Sequence, residues 1–430
     1  MKNRINIAIV GFGNIGSYFF KTFQKNKKSI SVKTGKIPII KYICVKNIGK
    51  KRKIKIPKSK WFKNPINLVS KKDVDIVIEL IGGSEGMAKK VVFAALRNKK
   101  HVITANKALI AKYGDRLALI AEKNKVNLEY EASVAGGVPI IRSIKDGLIG
   151  NKIKKIYGIL NGTTNYILSE METSRKNFDV VLKEAKKLGF AESNPVSDLN
   201  GSDAGDKIRI LSSLAFNKAI SKNKILLSGI QNINLNDIFH ARKLGYKIKL
   251  LAISEIKDKK LIERVHPCLV SKNSYIANIG GVLNAIIIDG DPIGRTVLQG
   301  EGAGPEPTTS SLISDLFSLL RGNLKFPFGI SYKLRKKIKK FDISKHECSS
   351  YLRIEVKDQS GVLSSITNIF TKNKISIKNL IQVPDKKNKK ASIAIITHNS
   401  YEKNFNKLIH TLSKNRYVLK KPTFIRIEKV

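Results

Sequence analysis

The feature that most constrains the fold of this chain is a glycine-rich segment at residues 11–16, with the pattern Gly-x-Gly-x-x-Gly. It directly follows residues 3–10, whose apolar pattern predicts a buried strand, and it opens a predicted helix. In this setting Gly11 allows the tight turn, Gly13 lets the backbone approach a pyrophosphate, and Gly16 lets the helix pack on the strand. The free N–H groups at the start of the helix favour phosphate oxygens. The segment therefore predicts a dinucleotide site, whose contacts in this loop are Gly11, Gly13, Asn14, Ile15 and Gly16.

Predicted strands and helices alternate through the first third of the chain, which favours a Rossmann-type, doubly wound parallel sheet. After Pro139 the pattern changes and predicts a second α/β domain, to which we assign substrate binding, catalysis and dimerisation. The C-terminal order strand-helix-strand-strand-helix-strand is typical of a ferredoxin-like module. A basic run before this module is interpreted as a solvated hinge. The predicted domains are residues 1–138 completed by 305–332, then 139–304, a linker at 333–346 and the module at 347–430.

The charge balance is extreme, because 81 Lys and Arg against 33 Asp and Glu give a net charge of +48. A basic nucleic-acid-binding protein would explain this charge and stands as an alternative. Such proteins, however, concentrate their basic residues on one face or tail, whereas here Lys is spread along the whole chain. We therefore interpret the charge as a drift of composition that also attracts anionic substrates and cofactors, and we expect no specific nucleic-acid partner.

Neither a secretory signal nor a membrane span is predicted. The apolar run behind Lys2 and Arg4 is too short for a signal peptide, and no stretch approaches the roughly 18 apolar residues of a span. The three cysteines lie far apart, which disfavours a disulfide framework or a zinc site. We expect a cytoplasmic protein with no membrane partner.

The end of the second predicted strand, at residues 37–45, indicates which dinucleotide is preferred. An Asp or Glu there would accept a hydrogen bond from the ribose 2′-hydroxyl of NAD. Here the strand is followed by Lys46 and by a basic run at 50–53, with no acidic residue. Cations at this position could hold a 2′-phosphate, so NADP is favoured over NAD, although a lysine-rich composition would supply the same residues.

A predicted helix at residues 202–216 carries an acid and a base on its apolar side. At roughly 100° per residue, Asp203, Lys207 and Ile210 fall on one stripe beside further apolar residues. The alternative is an exposed i, i+4 salt bridge, which would lie on the solvent face. An inward lysine is partly desolvated, which disfavours its charged form, while a paired carboxylate holds the ammonium in place. The spacing predicts acid–base work by this pair.

The loop ahead of this helix adds further polar groups. Glu192, Asn194 and Asp198 follow Gly189, which is predicted to end the preceding helix. Polar groups that converge near a lysine and an aspartate could hold a zwitterionic substrate.

These segments together resemble the homoserine dehydrogenase family, and the resemblance runs through nearly the whole chain. Its most specific part is residues 189–207, where Gly-Phe-Ala-Glu is followed by Asp-Leu-Asn-Gly-Ser-Asp-Ala-Gly-Asp-Lys. The other segments that carry the resemblance are residues 11–16, 79–83, 104–107, 131–139, 161–166, 302–304 and 307–308.

The resemblance implies an NAD(P)-dependent oxidoreductase that reversibly reduces L-aspartate 4-semialdehyde to L-homoserine, in threonine, methionine and isoleucine biosynthesis. By this resemblance Lys207 gives and takes the proton at the substrate oxygen, and Asp203 holds that oxygen and the lysine together. Glu192 is implied to bind the substrate ammonium, with Asp198 beside it. Lys107 is implied to lie between cofactor and substrate and to contact both.

The resemblance also implies contacts with the cofactor and with a cation. Gly189 and Gly302 would touch the nicotinamide end of the dinucleotide. A monovalent cation, usually described in the family as sodium, would be held structurally by an irregular loop that includes Glu131, Val134, Gly136 and Val138. Glu301 stands in the glycine-rich loop where a neutral residue is commoner.

The C-terminal module resembles an ACT domain, with Asp358 and Gly361 at the turn between its first strand and helix. ACT modules pair and often bind an amino acid between them, which implies threonine as an effector and a homodimer or homotetramer. Ser360 stands where the family commonly has Pro.

Another ACT-bearing NAD(P)-dependent dehydrogenase is the alternative among enzymes. A hydroxy-acid dehydrogenase would need a catalytic His with a carboxylate and an Arg, and none of the six His lies in such a setting. Aspartate-semialdehyde dehydrogenase would need a nucleophilic Cys, yet Cys44 is predicted in a strand and Cys268 in a loop.

Overall fold

The computed structural model describes residues 3–49, 52, 54, 56–322, 324–385 and 388–430. Lys50, Lys51 and Lys53, which the sequence offers for a 2′-phosphate, lie outside the described residues.

The strands are β1 (Arg4–Val10), β2 (Ile37–Cys44), β3 (Trp61–Phe62), β4 (Ile76–Glu79), β5 (His101–Thr104), β6 (Leu128–Glu129), β7 (Lys152–Ile159), β8 (Leu226–Leu227), β9 (Tyr246–Lys257), β10 (Lys260–Ser271), β11 (Leu283–Asp291), β12 (Gly294–Glu301), β13 (Glu347–Lys357), β14 (Ile377–Asp385), β15 (Lys390–Thr397), β16 (Ser400–Tyr401) and β17 (Thr423–Ile427).

The helices are α1 (Asn14–Thr34), α2 (Pro65–Val69), α3 (Met87–Arg97), α4 (Lys107–Lys123), α5 (Ile140–Arg142), α6 (Gly162–Ser174), α7 (Phe178–Lys187), α8 (Val196–Leu199), α9 (Ser202–Ala215), α10 (Leu235–Lys243), α11 (Pro305–Leu320), α12 (Val362–Lys372) and α13 (Glu402–Ser413). None of the described helices is both long enough and apolar enough to pass through a lipid bilayer.

The first sheet is parallel and has the strand order β3-β2-β1-β4-β5-β6. Its order reverses direction beside β1, so the loops that follow β1 and β4 open a crevice at their carboxyl ends, where such sheets bind ligands. Helix α11 packs against α1, and Leu312 and Leu316 share a buried core with Phe19 and Phe23. The segment after β12 thus returns to cover the first sheet, and the Rossmann-type fold predicted from the sequence is confirmed.

The second sheet runs β12-β11-β7-β9-β10-β17-β13-β15-β14, with β8 beside β10 and β16 beside β13. The C-terminal module contributes β17, β13, β15 and β14 in that order, which is the ferredoxin-like arrangement predicted from the sequence. The two parts meet where β10 pairs in parallel with β17, through Cys268 with Arg426 and Leu269 with Ile427. The sequence did not indicate that the module would extend the sheet of the second domain.

Two sequence-based expectations are wrong. Cys268 lies inside β10 and not in a loop, because the segment from residue 260 to 271 pairs along its whole length with β9. The basic run at 333–346 is not a solvated hinge throughout, since Arg335 is buried, pairs with Asp115 at 2.9 Å and lies over the ring of Phe328. An arginine in a basic run can be buried when a carboxylate and an aromatic face meet it.

Candidate active site

The glycine loop has the geometry that a bound pyrophosphate requires. Gly11 has φ of +101°, and an added Cβ there would lie 2.6 Å from the carbonyl oxygen of Leu80. An added Cβ at Gly16 would lie 2.6 Å from the carbonyl oxygen of Gly11, whereas one at Gly13 would meet nothing within 4 Å. Gly11 and Gly16 are therefore needed for packing, and the space beside Gly13 at the start of α1 is open to a ligand.

A buried hydrogen-bond network fixes the start of α4 beside this loop. Glu79, at the end of β4, is fully buried and accepts from Thr104 at 2.6 Å and from the N–H groups of Ile81 and Gly82. Thr104 in turn accepts from the N–H of Asn106, whose side chain caps α4. The network holds Lys107, the first residue of α4, at the carboxyl edge of the first sheet.

That residue, Lys107, meets the second domain at Asp203, in the first turn of α9. Nζ of Lys107 is 2.7 Å from Oδ1 of Asp203, and Nζ of Lys207 is 2.7 Å from Oδ2. Lys207 also donates to the carbonyl oxygen of Leu160 at 2.6 Å. The side chains of Asp203 and Lys207 are 6% and 10% exposed, whereas that of Lys107 is 41% exposed. The acid and base lie on the inward face of their helix, as the periodicity predicts, and a second lysine reaches them from the nucleotide-binding side.

Asn161 lies between β7 and α6 and completes the site. It was not identified as a site residue from the sequence. Its Nδ2 donates to Oδ2 of Asp203 at 2.9 Å and to Oδ1 of Asp198 at 2.7 Å, while its Oδ1 caps α6 at the N–H of Thr164. The helix at residues 162–174 is not among those that the sequence pattern predicts. A capping Asn before that helix was the signal that would have pointed to a fixed amide here.

The charges in this cluster favour a permanently ionised Asp203. Burial would raise the pKa of its carboxyl, but the ammonium groups of Lys207 and Lys107 outweigh burial and hold the pKa well below its usual range. Burial would likewise lower the pKa of Lys107, but Asp203 raises it. Burial and the charge of Asp203 raise the pKa of Asp198. Two ammonium groups are thus held by one fixed negative charge, and either can donate a proton to an oxygen placed between them.

Three other residues that were predicted to bind the substrate or the cofactor lie at the surface. Glu192 is exposed and, within the described part of the chain, makes no hydrogen bond or ion pair. Gly189 is exposed with φ of +78°, and an added Cβ there would meet nothing within 4 Å. Lys46 is exposed after β2. Nearby, the guanidinium of Arg52 lies 4.8 Å from the ring of Trp61, which contacts Phe12 of the glycine loop.

The loop predicted to hold a cation is buried and packs on the second glycine-rich loop. Ala135 and Gly136 both have positive φ, and an added Cβ at Gly136 would lie 2.6 Å from the backbone of Gly302. The carboxylate of Glu131 accepts from the N–H groups of Ile141 and Arg142, so its side chain is occupied by the start of α5. A cation held by residues 131–138 would therefore depend on backbone carbonyl oxygens, and those of Glu131, Gly136 and Val138 each accept one hydrogen bond.

The turn predicted to bind an effector lies on the surface of the C-terminal module. Gly361 has φ of +82° and precedes α12, while Asp358 and Ser360 are exposed. Glu301 is exposed as well, and its carbonyl oxygen accepts from the N–H of Gly137.

A glycine loop on a parallel sheet, facing a buried lysine–aspartate pair from a second domain, defines an NAD(P)-dependent oxidoreductase. Comparison with known proteins makes the class specific. Residues 139–317 match the family model for homoserine dehydrogenase, residues 11–131 match the homoserine dehydrogenase NAD binding domain, and residues 350–413 match the ACT domain. The chain belongs to the homoserine dehydrogenase family and carries a C-terminal ACT domain.

Similar proteins named homoserine dehydrogenase cover from three quarters to nearly all of the chain. Homoserine dehydrogenase of Neisseria gonorrhoeae is 38% identical over 99% of this chain and 98% of its own length. The crystal structure of a homoserine dehydrogenase from Thiobacillus denitrificans is 34% identical, with a TM-score of 0.90 over 99% of this chain and 98% of that one. A hyperthermophilic archaeal homoserine dehydrogenase in complex with NADPH is 25% identical, with a TM-score of 0.59 over 75% of this chain and all of that one. The match over both catalytic domains decides against another type of ACT-bearing dehydrogenase.

Proposed function

We propose that this protein reduces L-aspartate 4-semialdehyde to L-homoserine, and catalyses the reverse oxidation, in threonine, methionine and isoleucine biosynthesis. The observation that carries the proposal is Asp203 held at 2.7 Å by two lysines from different domains, at the edge where the glycine loop opens. A small zwitterion with a reducible carbonyl fits a site that combines ammonium groups with the carboxylates of Asp198 and Glu192.

In the reducing direction Lys207 would protonate the oxygen of the aldehyde as that oxygen gains charge. The dinucleotide, when bound, supplies the hydride. Asp203 keeps the Lys207 ammonium aimed at the oxygen, and Lys107 adds a second positive charge from the cofactor side. Donors placed where charge develops lower the barrier more than they stabilise the substrate. Because Lys207 is 10% exposed, water competes little for its proton.

The other roles follow the position of each residue. Glu192 would bind the substrate ammonium and would become less exposed on binding. Asp198, which accepts a hydrogen bond from Asn161, would add a second carboxylate near that ammonium. Gly189 and Gly302 would contact the nicotinamide end, and Gly11, Gly13, Asn14, Ile15 and Gly16 would hold the pyrophosphate. The open space beside Gly13 supports this assignment.

We favour NADP over NAD as the cofactor. No acid follows β2, and the exposed Lys46 could meet a 2′-phosphate. The NADPH bound by the archaeal relative is in keeping with this preference.

A monovalent cation, sodium by the family resemblance, would be held by the backbone carbonyls of Glu131, Val134, Gly136 and Val138. Two consecutive residues with positive φ turn this loop, and carbonyl oxygens have a second lone pair for a ligand, so the residues fit a structural cation.

Threonine regulation through the ACT turn at Asp358 and Gly361, a homodimer or homotetramer, and a cytoplasmic location complete the proposal. The matched ACT domain supports an amino-acid effector.

The test is a purified-enzyme assay of aspartate semialdehyde reduction with NADPH and with NADH at equal concentration, with and without threonine and Na⁺. We expect turnover with both dinucleotides and a higher rate with NADPH. An enzyme that leaves the semialdehyde unreduced would refute the proposed reaction, and a strong preference for NADH would refute the role given to Lys46.

A further inference from the structure

A second buried lysine lies outside the cluster around Asp203. Lys249, on β9, is 2% exposed. Within the described ranges no carboxylate forms an ion pair with it, although Glu172 on α6 and Lys247 on β9 act on it at longer range. A buried ammonium without a paired carboxylate is costly, so its retention at this position needs a reason.

The ammonium of Lys249 has three acceptors, which is the number that it can serve. It donates to the carbonyl oxygen of Ile279 at 2.5 Å, to Oδ1 of Asn165 at 3.1 Å and, more weakly, to Oγ of Ser169 at 3.5 Å. Asn165 and Ser169 lie one turn apart on α6. Lys249 therefore ties that helix to the segment that leads into β11.

Because the ammonium faces Oδ1 of Asn165, the amide nitrogen of Asn165 points the other way. There three carbonyl oxygens lie within hydrogen-bond distance of its two N–H groups, that of Ile279 at 3.2 Å, which also accepts from Lys249, and those of Gly281 at 3.0 Å and Leu283 at 3.3 Å. A side chain without a charge at position 249 would leave Oδ1 of Asn165 without its donor and this amide held from one side only. The lysine and the carbonyl oxygens of segment 279–283 thus fix the amide of Asn165 from both sides.

Segment 279–283 contacts the first turn of α6. An added Cβ at Gly162 would lie 2.5 Å from the carbonyl oxygen of Val282, so the two backbones are in contact. Asn161, next to Gly162 and one turn before Asn165, is the residue that donates to Asp203. The contacts run without a gap from Lys249 through Asn165 and segment 279–283 to Asn161 and the catalytic carboxylate.

We propose that Lys249 is a positioning residue for the reaction, which acts by orienting Asn165 and thereby fixes Asn161 against Asp203. The inference rests on the proposed function, since it names a further residue of the same site. Lys249 contacts neither Asp203 nor Lys207, and its effect is on turnover and not on cofactor binding.

The charge state of Lys249 gives the inference a distinctive signature. Burial, together with the nearby Lys247, lowers the pKa of Lys249 from 10.5 to about 8, and Glu172 offsets this only in part. Above that pH the folded protein loses a proton that the unfolded chain still binds. The contribution of Lys249 to the free energy of unfolding therefore rises with pH between about 8 and 10.5, while a positioning role makes kcat fall over the same range.

The first experiment compares Lys249→Met with Ser169→Ala, which removes only the weakest acceptor. Misplacement of a catalytic group lowers turnover steeply, so we expect kcat of Lys249→Met to fall about 10-fold to 100-fold, with an unchanged Kd for NADPH in a fluorescence titration. Ser169→Ala is expected to stay within about twofold of wild type. Folded Lys249→Met with wild-type kcat, or with NADPH binding lost in proportion to kcat, would overturn the inference.

The second experiment follows pH, and it holds even if Lys249→Met does not fold. Ser169→Asp supplies a carboxylate to the ammonium and leaves the amide of Asn165 in place, so it should move the fall in kcat to higher pH by at least about one unit. In wild type, kcat should fall above pH 8, and the stability of wild type relative to Ser169→Asp in chemical denaturation should rise over the same range, because the buried cysteines contribute equally to both proteins. An unmoved pH profile in Ser169→Asp, or a stability difference between wild type and Ser169→Asp that stays constant above pH 8, would overturn the inference. Wild-type enzyme that fails to reduce the semialdehyde would refute the proposed function instead, and the stability profile would still test the titration of Lys249.

Discussion

Two buried carboxylates in the second domain are held by basic side chains. One is Asp203, and the other is Asp237, which lies where the second domain contacts the ACT domain. Asp237, on α10, is fully buried and bound by the guanidinium of Arg353 from β13, at 2.7 Å to Nε, and by the hydroxyl of Tyr351. Asp203 is held by two lysines, of which Lys107 is 41% exposed. One cluster is closed by a guanidinium, and the other has a side open to solvent.

The difference in cation type separates a structural cluster from a reactive one. Arginine keeps its proton at any pH that a protein meets and binds a carboxylate in a fixed fork, so Arg353 joins two domains without taking part in proton transfer. Lysine can release its proton, and the exposed Lys107 leaves room for a substrate oxygen beside Asp203. Burial and charge alone would not have distinguished the two sites.

The largest expected effect breaks the reactive cluster. Lys207→Ala removes the proton donor, and we expect kcat to fall about 10²-fold to 10⁴-fold while NADPH still binds. Steady-state kinetics and a fluorescence titration measure the two effects, with Lys183→Ala, an exposed lysine of α7, as the control. Near-normal turnover in the Lys207 variant would show that another group handles the proton.

The corresponding change in the structural cluster is Asp237→Asn. It leaves the buried Arg353 with only the partly exposed Glu355 as counter-charge, and we expect the free energy of unfolding to fall by about 1.5–3 kcal/mol. Below the new Tm, kcat should stay within about threefold of wild type. Denaturant unfolding and kinetics on the same preparation check this, and a loss of turnover without a loss of stability would reverse the distinction between the clusters.

A smaller effect is expected for Asn161, whose amide donates a hydrogen bond to Asp203. Asn161→Ala removes hydrogen bonds to two carboxylates, and a hydrogen bond to a charged group contributes about 1.5–3 kcal/mol, so we expect kcat to fall about 10-fold to 100-fold. Asn64→Ala is the matched control. Asn64 caps α2 in the same way, but it follows β3, which is an edge strand of the first sheet, whereas Lys107 follows β5 near the other edge. If both variants lose turnover equally, loss of a helix cap explains the result.

The smallest effect concerns Glu192. Exposed ion pairs contribute about 1 kcal/mol or less, so Glu192→Gln should raise KM for homoserine about fivefold and leave kcat unchanged. Titration of the substrate at saturating NADP checks this. An unchanged KM would place the substrate ammonium elsewhere.

The sequence predicted those parts of the site that depend on local pattern. The glycine loop follows from a strand and helix that are adjacent in the chain, and the inward face of α9 follows from helical periodicity, which is why Asp203 and Lys207 could be placed together. Asn161 and Lys249 escaped prediction because the partners that define their roles are 30–84 residues away in sequence, and only the packed fold brings them together. The burial of Arg335 was missed for the same reason, since its partner Asp115 belongs to another domain.

The central claim is that the Lys207–Asp203 pair, flanked by Lys107, faces the reacting oxygen of the substrate. A crystal structure of the complex with NADP and homoserine tests it most directly. The account predicts the homoserine hydroxyl at about 3 Å from Nζ of Lys207, with Asp203 still bonded to that lysine. A homoserine hydroxyl bound away from both lysines, with Lys207 screened from it by protein, would contradict the account.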